Sequence, residues 1–454
     1  MTGTADTICA LASPAGRGGV SIVRVSGPQA KAISSRLAGF MPVAGQARVA
    51  TFRDSCQQPI DSGLILYFAA PASFTGEDVA EFQVHGSPVV VDLLLGCLLG
   101  FGCRLARPGE FSERAFLNDK LDLVQAEAIA DLIESASTTA ARMALRSMHG
   151  DFSLLVNALI DDTTKLRIHV EAAIDFPEDD VDFLLDKTIS KQLLSLRSRL
   201  EHLLEQARQG SLVREGIRVV LAGAPNTGKS TLLNALSGSD TAIVTDIPGT
   251  TRDILRHELL IDGMPVHIAD TAGLRSSDDP VEQEGIRRAR VVMLEADRIL
   301  MLVDARQLGT LLQDAVWQEL TSDPALAGKV TLVVNKIDLA GHSPASGQHS
   351  GMPAIFLSAK LGLGLELLKQ HLALCSGRVL TEEGGFIARR RHLDALLRAH
   401  NNLGNAEHQL VANKAGELMA DELRRAHDAL GEITGRVTAD DLLGRIFSSF
   451  CIGK

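Results

Sequence analysis

One tryptophan (Trp317) and one tyrosine (Tyr67) in 454 residues leave this chain short of the flat platforms on which single-stranded nucleic acid stacks. Surplus positive charge is missing too. The 45 Lys and Arg stand against 56 Asp and Glu, a net charge of −11, which excludes a broad basic surface. Any contact with RNA must be local or carried by a partner. The cysteines at 9, 56, 97, 103, 375 and 451 form no C-x-x-C pair and no Cys/His metal spacing. That argues against a thiolate metal centre and fits a reducing compartment. No stretch is long and apolar enough to cross a bilayer, so no membrane contact is expected. The longest, Val89 to Cys103, contains Asp92 and three glycines and reads as a buried helix. The first residues lack the basic, apolar and small-residue succession of a signal peptide, so the expected location is cytoplasmic.

What is present changes texture along the chain, which is long enough for several domains. Residues 1–118 read as mixed α/β, with strands at Val20–Val25 and Asp78–His85 between loops rich in Gly, Pro and Ser. In the second strand Ala80, Phe82 and Val84 share one face. Glu81, Gln83 and His85 share the other, which is either solvent-exposed or lines a ligand cleft. Glycine is then absent from 110–149 and again from 151–209, where Pro177 is the sole proline. Leu, Ala, Glu and Arg recur there at helical spacing, as in Ala126–Leu145 and Leu193–Leu204. The same texture resumes at Arg389–Leu430 and Asp440–Phe450. The simplest division is 1–118 as an N-terminal domain, 119–212 as the first part of a helical domain, 213–378 as an inserted domain and 379–454 as the second helical part. The insertion would hang from breaks near Gly210 and Gly377.

The inserted segment carries the chemistry. The apolar run Ile217–Ala222 leads into Gly223-Ala224-Pro225-Asn226-Thr227-Gly228-Lys229-Ser230, a G-x4-G-K-S loop, with helix-like sequence from Thr231 to Leu236. The glycines let backbone N–H groups face a β-phosphate. Lys229 adds a point charge toward the β/γ oxygens, and Ser230 can ligate Mg²⁺. Asp270-Thr271-Ala272-Gly273 ends a strand at Val266–Ala269, where Asp270 can hold Mg²⁺ through water and Gly273 can meet a γ-phosphate. Asn335-Lys336-Ile337-Asp338 follows the strand Val330–Val334, and the Asp338 carboxylate can accept two N–H groups that guanine has and adenine lacks. Ser358-Ala359-Lys360 follows Ile355–Leu357, where a backbone amide can read guanine O6. Four boxes in order, each at the carboxyl end of a strand, specify a doubly wound sheet that binds GTP.

Which kind of GTP-binding domain is a finer question. The residue after Gly273, where Ras-type enzymes place a water-orienting glutamine, is Leu274, so water positioning must come from elsewhere. Thr245-Asp246-Ile247-Pro248-Gly249-Thr250-Thr251-Arg252-Asp253 reads as switch I, with Thr251 a second Mg²⁺ ligand. Its carbonyls could cap a monovalent cation to which Asn226 adds an oxygen, although Asn226 also reads as an ordinary loop amide.

End to end, the chain resembles the MnmE (TrmE) family of tRNA-modification GTPases. The resemblance rests on Asp6-Thr7-Ile8, Pro14–Gly19, Ser73-Phe74-Thr75-Gly76-Glu77-Asp78, Arg107–Ser112, Asn118–Leu123, Asp175-Phe176-Pro177-Glu178 and the terminal Cys451-Ile452-Gly453-Lys454. It implies a multidomain α/β chain: an N-terminal α/β folate-binding domain, a helical domain, and an inserted Ras-like P-loop G domain. It further implies a homodimer held by the N-terminal domains, and a flavoprotein partner, MnmG (GidA), in a heterotetramer. Such a complex places an aminomethyl-type group on C5 of the wobble uridine (U34) of certain tRNAs. The carbon comes from a tetrahydrofolate donor (5,10-methylene or 5-formyl form), and FAD stays on the partner. By position, Arg24, Glu81, Lys120 and the terminal Lys454 would contact folate. K⁺ would be held by Asn226 and oxygens of Thr245, Ile247 and Thr250. Glu282 matches the family's water-orienting carboxylate, though its own surroundings read as a solvated helix. Cys451 invites a nucleophile reading beside that of an ordinary thiol near a flexible tail, and it is expected to be needed for modification, with no role assigned. The run Arg389-Arg390-Arg391-His392, with Arg398 and His400, reads as a tRNA or partner patch or as a solvated face. Two rival readings are a ribosome-assembly GTPase of the Era/Der branch and a folate-binding aminomethyltransferase-like enzyme.

Overall fold

The computed structural model describes residues 6–135, 137–175, 187–237, 256–261, 264–270, 290–375, 385–413, 415–437, 440–448, 450 and 453. Its backbone contacts divide the chain into two compact units. One comprises residues 1–133, 145–201 and 394–454, the other residues 134–144 and 202–393.

The first unit is built on β1 (Ile8–Leu11), β2 (Gly18–Ser26), β3 (Arg48–Arg53), β4 (Pro59–Phe68), β5 (Val79–Gly86) and β6 (Arg104–Leu105). They form one sheet in the order β3-β4-β5-β2-β1-β6, antiparallel except for the β1–β6 pair. The alternation in the sequence decides which face is covered. Val23, Val25, Phe52, Ile65, Ala80, Phe82 and Val84 bury one side beneath α1 (Ala30–Ala38) and α2 (Pro88–Gly100). The expectation of a buried helix over Val89–Cys103 needs correcting. Helix α2 buries Val91, Leu94 and Leu98, whereas Val89 and Leu93 are 67% and 56% exposed. A helix laid on a sheet covers it with one stripe only, however apolar the rest.

Helices follow: α3 (Glu110–Leu117), α4 (Leu123–Glu134), α5 (Thr138–His149), α6 (Asp151–Asp175) and α7 (Lys187–Glu215). The continuous helical texture of 126–145 is broken after Glu134, and the Ser137 hydroxyl accepts from the Ala140 amide at the new start. Gly210 is not a break either, because α7 runs through it to Glu215. A Cβ at Gly210 would lie 2.1 Å from the Phe386 carbonyl oxygen, so glycine there permits close packing of two backbone segments. Helix α7 stops instead at Gly216, whose φ of +69° is a left-handed cap. Gly377 lies outside the described residues.

The second unit holds β7 (Ile217–Ala222), α8 (Lys229–Ser237), β8 (Arg256–Ile261), β9 (Met264–Asp270), β10 (Arg298–Asp304), a 3₁₀ helix (Ala305–Gln313), α9 (Ala315–Ser322), α10 (Pro324–Ala327), β11 (Val330–Asn335), α11 (Ile337–Ala340), β12 (Ala345–His349), β13 (Met352–Phe356) and α12 (Leu365–Cys375). The sheet order is β12-β13-β11-β10-β7-β9-β8. The five inner strands are parallel, with antiparallel β8 and β12 at the edges. Both faces are packed: α8 and α12 on one, and Trp317, Leu320 and Leu326 on the other. This is a doubly wound domain.

The chain then continues through α13 (Arg390–His408), a π-helical turn (Gln409–Asn413), α14 (Gly416–Thr434) and α15 (Asp440–Ser448). In the first unit α14 packs along α6, and α15 against α3. Among the described residues no helix is long and apolar enough to cross a membrane.

Candidate functional site

Strand β7 is buried from Val219 to Ala222, and the chain leaves it between β10 and β9, where the order of connection reverses. That is the switch point at which doubly wound sheets bind ligands. Gly223 turns there with φ +130°, and a Cβ on it would lie 2.3 Å from the Leu302 carbonyl oxygen. Asn226 and Gly228 also have positive φ, of 64° and 100°. The Thr227 hydroxyl donates to the Ala224 carbonyl at 2.8 Å and closes the loop. Helix α8 begins at Lys229, so its first amides and the positive end of its dipole face the loop. Lys229 Nζ donates to the carbonyls of Gly223 (2.8 Å) and Ala224 (3.1 Å), which holds the ammonium on the loop itself. Ser230 and Thr231 follow in the first turn of α8, both exposed.

The guanine boxes converge on this loop through one buried amide. Asn335 ends β11 and is 2% exposed. Its Nδ2 donates to the Thr227 carbonyl at 2.9 Å, while its Oδ1 accepts from the backbone amides of Lys336 (2.8 Å) and Ala359 (3.0 Å). A Cβ on Gly228 would sit 2.3 Å from that Nδ2, a second reason for glycine in the loop. Lys336 is left-handed (φ +63°), and its Nζ donates to the Asn226 carbonyl at 2.5 Å and to Asp304 Oδ2 at 3.0 Å. Asp338 is exposed in α11. The Ser358 hydroxyl accepts from the Leu361 amide at 3.4 Å, shaping the turn that presents Ala359 and Lys360. Asp270 ends β9 in register with Leu221, so its backbone lies beside the strand that feeds the loop. Thr245 to Thr251, Thr271 to Leu274 and Glu282 lie outside the described residues.

One residue of this site went unread in the sequence. Asp304, at the carboxyl end of β10, is 5% exposed. It accepts from Arg306 Nη2 (2.7 Å), Arg306 Nε (3.0 Å), the Arg306 amide (3.1 Å) and Lys336 Nζ. Arg306 first, then Lys336, hold its carboxyl well below the usual range. The legible signal was a carboxylate at the end of an apolar strand, Val303-Asp304-Ala305-Arg306, the same cue that marks Asp270.

The first unit gathers the remaining candidates. Arg24 on β2 and Glu81 on β5 are register partners, and the guanidinium Nε donates to Glu81 Oε1 at 2.9 Å. The guanidinium also stands 5.6 Å from the Phe74 ring centre and 5.7 Å from that of Phe111. Its Nη1 donates to the Gly453 carbonyl at 3.4 Å. Gly453 has φ +94°, and a Cβ there would lie 2.1 Å from the Leu11 carbonyl oxygen. Gly453 is therefore packed on β1 beside Arg24. The loop bearing Phe74 is tied down from both sides. Ser26 Oγ donates to Glu77 Oε2 at 2.7 Å, and Asn118 Nδ2 to the Thr75 carbonyl at 2.7 Å. Lys120 Nζ donates to the Pro71 carbonyl at 3.0 Å. Cys451 and Lys454 lie outside the described residues. The Arg389–His400 run is not an open basic face throughout. Arg398 pairs with Glu432 and His400 with Glu201, while His392 is buried and accepts from the Arg389 amide at 3.0 Å.

Comparison with known proteins identifies this combination. A sequence profile described as the GTP-binding protein TrmE N-terminus matches residues 7–120, and one described as the MnmE helical domain matches residues 123–451. The chain is 54% identical to the tRNA modification GTPase MnmE of Marinobacter nauticus, over all of both chains. It is 55% identical to that of Stutzerimonas stutzeri and 53% identical to that of Proteus mirabilis, each over 99% of both chains. Over its whole length, and with its phosphate loop and the boxes at 335–338 and 358–360 drawn together at one switch point, this chain belongs to the MnmE family of tRNA modification GTPases.

Proposed function

We propose that the chain is a K⁺-dependent GTPase that works with the flavoprotein MnmG to modify C5 of the wobble uridine (U34) of certain tRNAs, drawing the carbon from a tetrahydrofolate donor. The observation that carries the GTPase part is the Asn335 amide, which fastens the phosphate loop at Thr227 to both guanine boxes. Phosphates would lie on the amides around Asn226 to Thr231, with Lys229 on the β/γ oxygens, and the base between Asn335, Lys336, Asp338 and Ser358 to Lys360. The hydroxyl and charge set fits Mg²⁺ on Ser230 and Thr251, with Asp270 to Gly273 closing the γ side. Asn226, already in a left-handed turn, would hold K⁺ together with oxygens of Thr245, Ile247 and Thr250, in the switch that also contains Asp246, Pro248 and Gly249. K⁺ held there would supply positive charge beside the phosphates, as an arginine does in other GTPases. Glu282 would orient the attacking water.

For folate, the polar groups of Arg24, Glu81 and Lys120 suit a ring with N–H donors on an anionic tail, and the half-buried Phe74 adds a flat apolar wall, with the buried Phe111 behind Arg24. The packing of Gly453 beside Arg24 supports a place for Lys454 at the same pocket. Cys451 is proposed as necessary for modification, without an assigned step. The domains would be 1–118 for folate and dimerisation, 119–212 with 379–454 as the helical domain, and 213–378 as the G domain. The working assembly would be a homodimer joined by MnmG, which carries FAD, in the cytoplasm. Family membership weighs against the Era/Der and the aminomethyltransferase-like readings.

Replacing Glu282 by Ala tests the chemistry. GTP should still bind while hydrolysis falls sharply, and unchanged hydrolysis would remove Glu282 from the water-orienting role. Reconstitution with MnmG, tRNA and folate donor, scored by modified uridine in digested tRNA, tests the wider reading. Product formed without GTP hydrolysis would contradict it.

A further inference from the structure

The Lys336 ammonium bridges two elements, and only one of its partners is charged. The Asn226 carbonyl is a neutral acceptor on an exposed loop. Asp304 is a buried anion at the end of the adjacent central strand. A lysine stem has several free torsions, so a neutral carbonyl alone holds it weakly, and a charge-assisted bond to an immobile carboxylate holds it much better. Asp304 is held by its place in the core: it is 5% exposed at the end of β10, with its backbone in register with Asn335 of β11. Lys336 then fastens the guanine-box turn to the phosphate loop as a second tie, parallel to the Asn335 amide.

We infer that Asp304 is a positioning residue for the guanine nucleotide. Through Lys336 it fixes the distance between the loop that holds the phosphates and the turn that holds the base. The inference deepens the nucleotide reading above and rests on it. A ligand anchored at both ends is released when either anchor moves, so losing this tie should speed release and weaken binding. The hydrolytic step would be untouched, because neither Asp304 nor Lys336 is assigned to the attacking water.

The test uses the full chain and the fluorescent nucleotide mant-GDP. Asp304→Asn keeps the side chain's shape and its acceptor for the Arg306 amide but withdraws the charge from Lys336. Dissociation of mant-GDP should quicken about tenfold and the KM for GTP rise by a similar factor, with kcat within about twofold. Asp304→Glu, which retains the charge, should bring dissociation back to within about threefold of the unsubstituted chain. Arg306, which is 56% exposed, shares the carboxylate without touching the loop, so Arg306→Ala should leave dissociation within about twofold. The double variant Asp304→Asn with Lys336→Met should release nucleotide no faster than Lys336→Met alone, because both remove the same tie. Dissociation unchanged in Asp304→Asn, equal acceleration by Arg306→Ala, or multiplied effects in the double variant would each overturn the inference. Failure of the unsubstituted chain to bind mant-GDP would overturn the nucleotide reading itself, and the inference with it.

Discussion

A single amide closes three loops on one another in the nucleotide domain. Truncating Asn335 to Ala would strand the Thr227 carbonyl and the Ala359 amide, both buried, and the half-buried Lys336 amide. Each unpaired buried group costs about 1–3 kcal/mol, so both the melting temperature and mant-GDP affinity should drop together. Loss of affinity with an unchanged melting temperature would show that Asn335 serves the ligand alone. Gly210 poses the opposite kind of question. By helix propensity, Gly to Ala inside α7 should stabilise by about 1 kcal/mol. The added Cβ, however, would approach the Phe386 oxygen to 2.1 Å, and relieving a contact with backbone costs about 1–3 kcal/mol or more. The contact should win and Gly210→Ala should melt lower; a higher melting temperature would mean the two segments are not in close approach. In the sequence Gly210 was legible only as a place where a helix could stop, because the partner backbone lies 176 residues further on and leaves no local trace.

Among the elements, α2 separates apolar composition from burial. Leu94 is fully buried on the sheet and Leu93, its neighbour, is mostly exposed. Leu94→Ala should destabilise by about 2–5 kcal/mol and Leu93→Ala by about 0.5 kcal/mol or less, measured by denaturant unfolding. Similar losses at both would mean that the outer stripe is covered. The start of α3 is held by charge. Burial pushes Glu110 up, but bonds from Arg104 and the Arg107 amide more than offset that, leaving its carboxyl below the usual range. Asp6 is also lowered, first by its bond to Arg104. A carboxylate with a lowered folded pKa adds stability that is present above its unfolded value, about 4.3 for Glu, and disappears as pH falls through the folded value. Melting temperature should therefore fall on acidification below about pH 4.3, and Glu110→Gln should be less stable near neutrality with a flatter acid limb. Parallel curves for the two proteins would contradict this. The strands and phosphate loop of the nucleotide domain were readable because each box follows its strand directly in the chain. The end of α4 was less so: Ser135 and Ser137 are the cue, but Leu, Ala and Arg on both sides keep one helical period.

For the whole molecule, what could be read depended on sequence distance. The phosphate loop and the boxes at 335–338 and 358–360 are each contiguous in the chain and meet at one switch point. Arg24 and Glu81 are far apart in the chain and meet only because β2 pairs with β5, so no local pattern announces them; the family resemblance alone singled them out. The same holds for Gly453, whose carbonyl accepts from Arg24. Arg306 is a local partner of Asp304, but Lys336 meets Asp304 only once β10 and β11 lie side by side, and that link leaves no local trace.

As proposed, this GTPase would need no external activating protein, because a monovalent cation would supply the charge. The direct measurement is GTP turnover by the full chain alone, with Mg²⁺, in KCl and in NaCl at equal ionic strength. Turnover in KCl should exceed that in NaCl by about an order of magnitude or more, the scale of one well-placed charge in the transition state. Equal and slow turnover in both salts would contradict the claim.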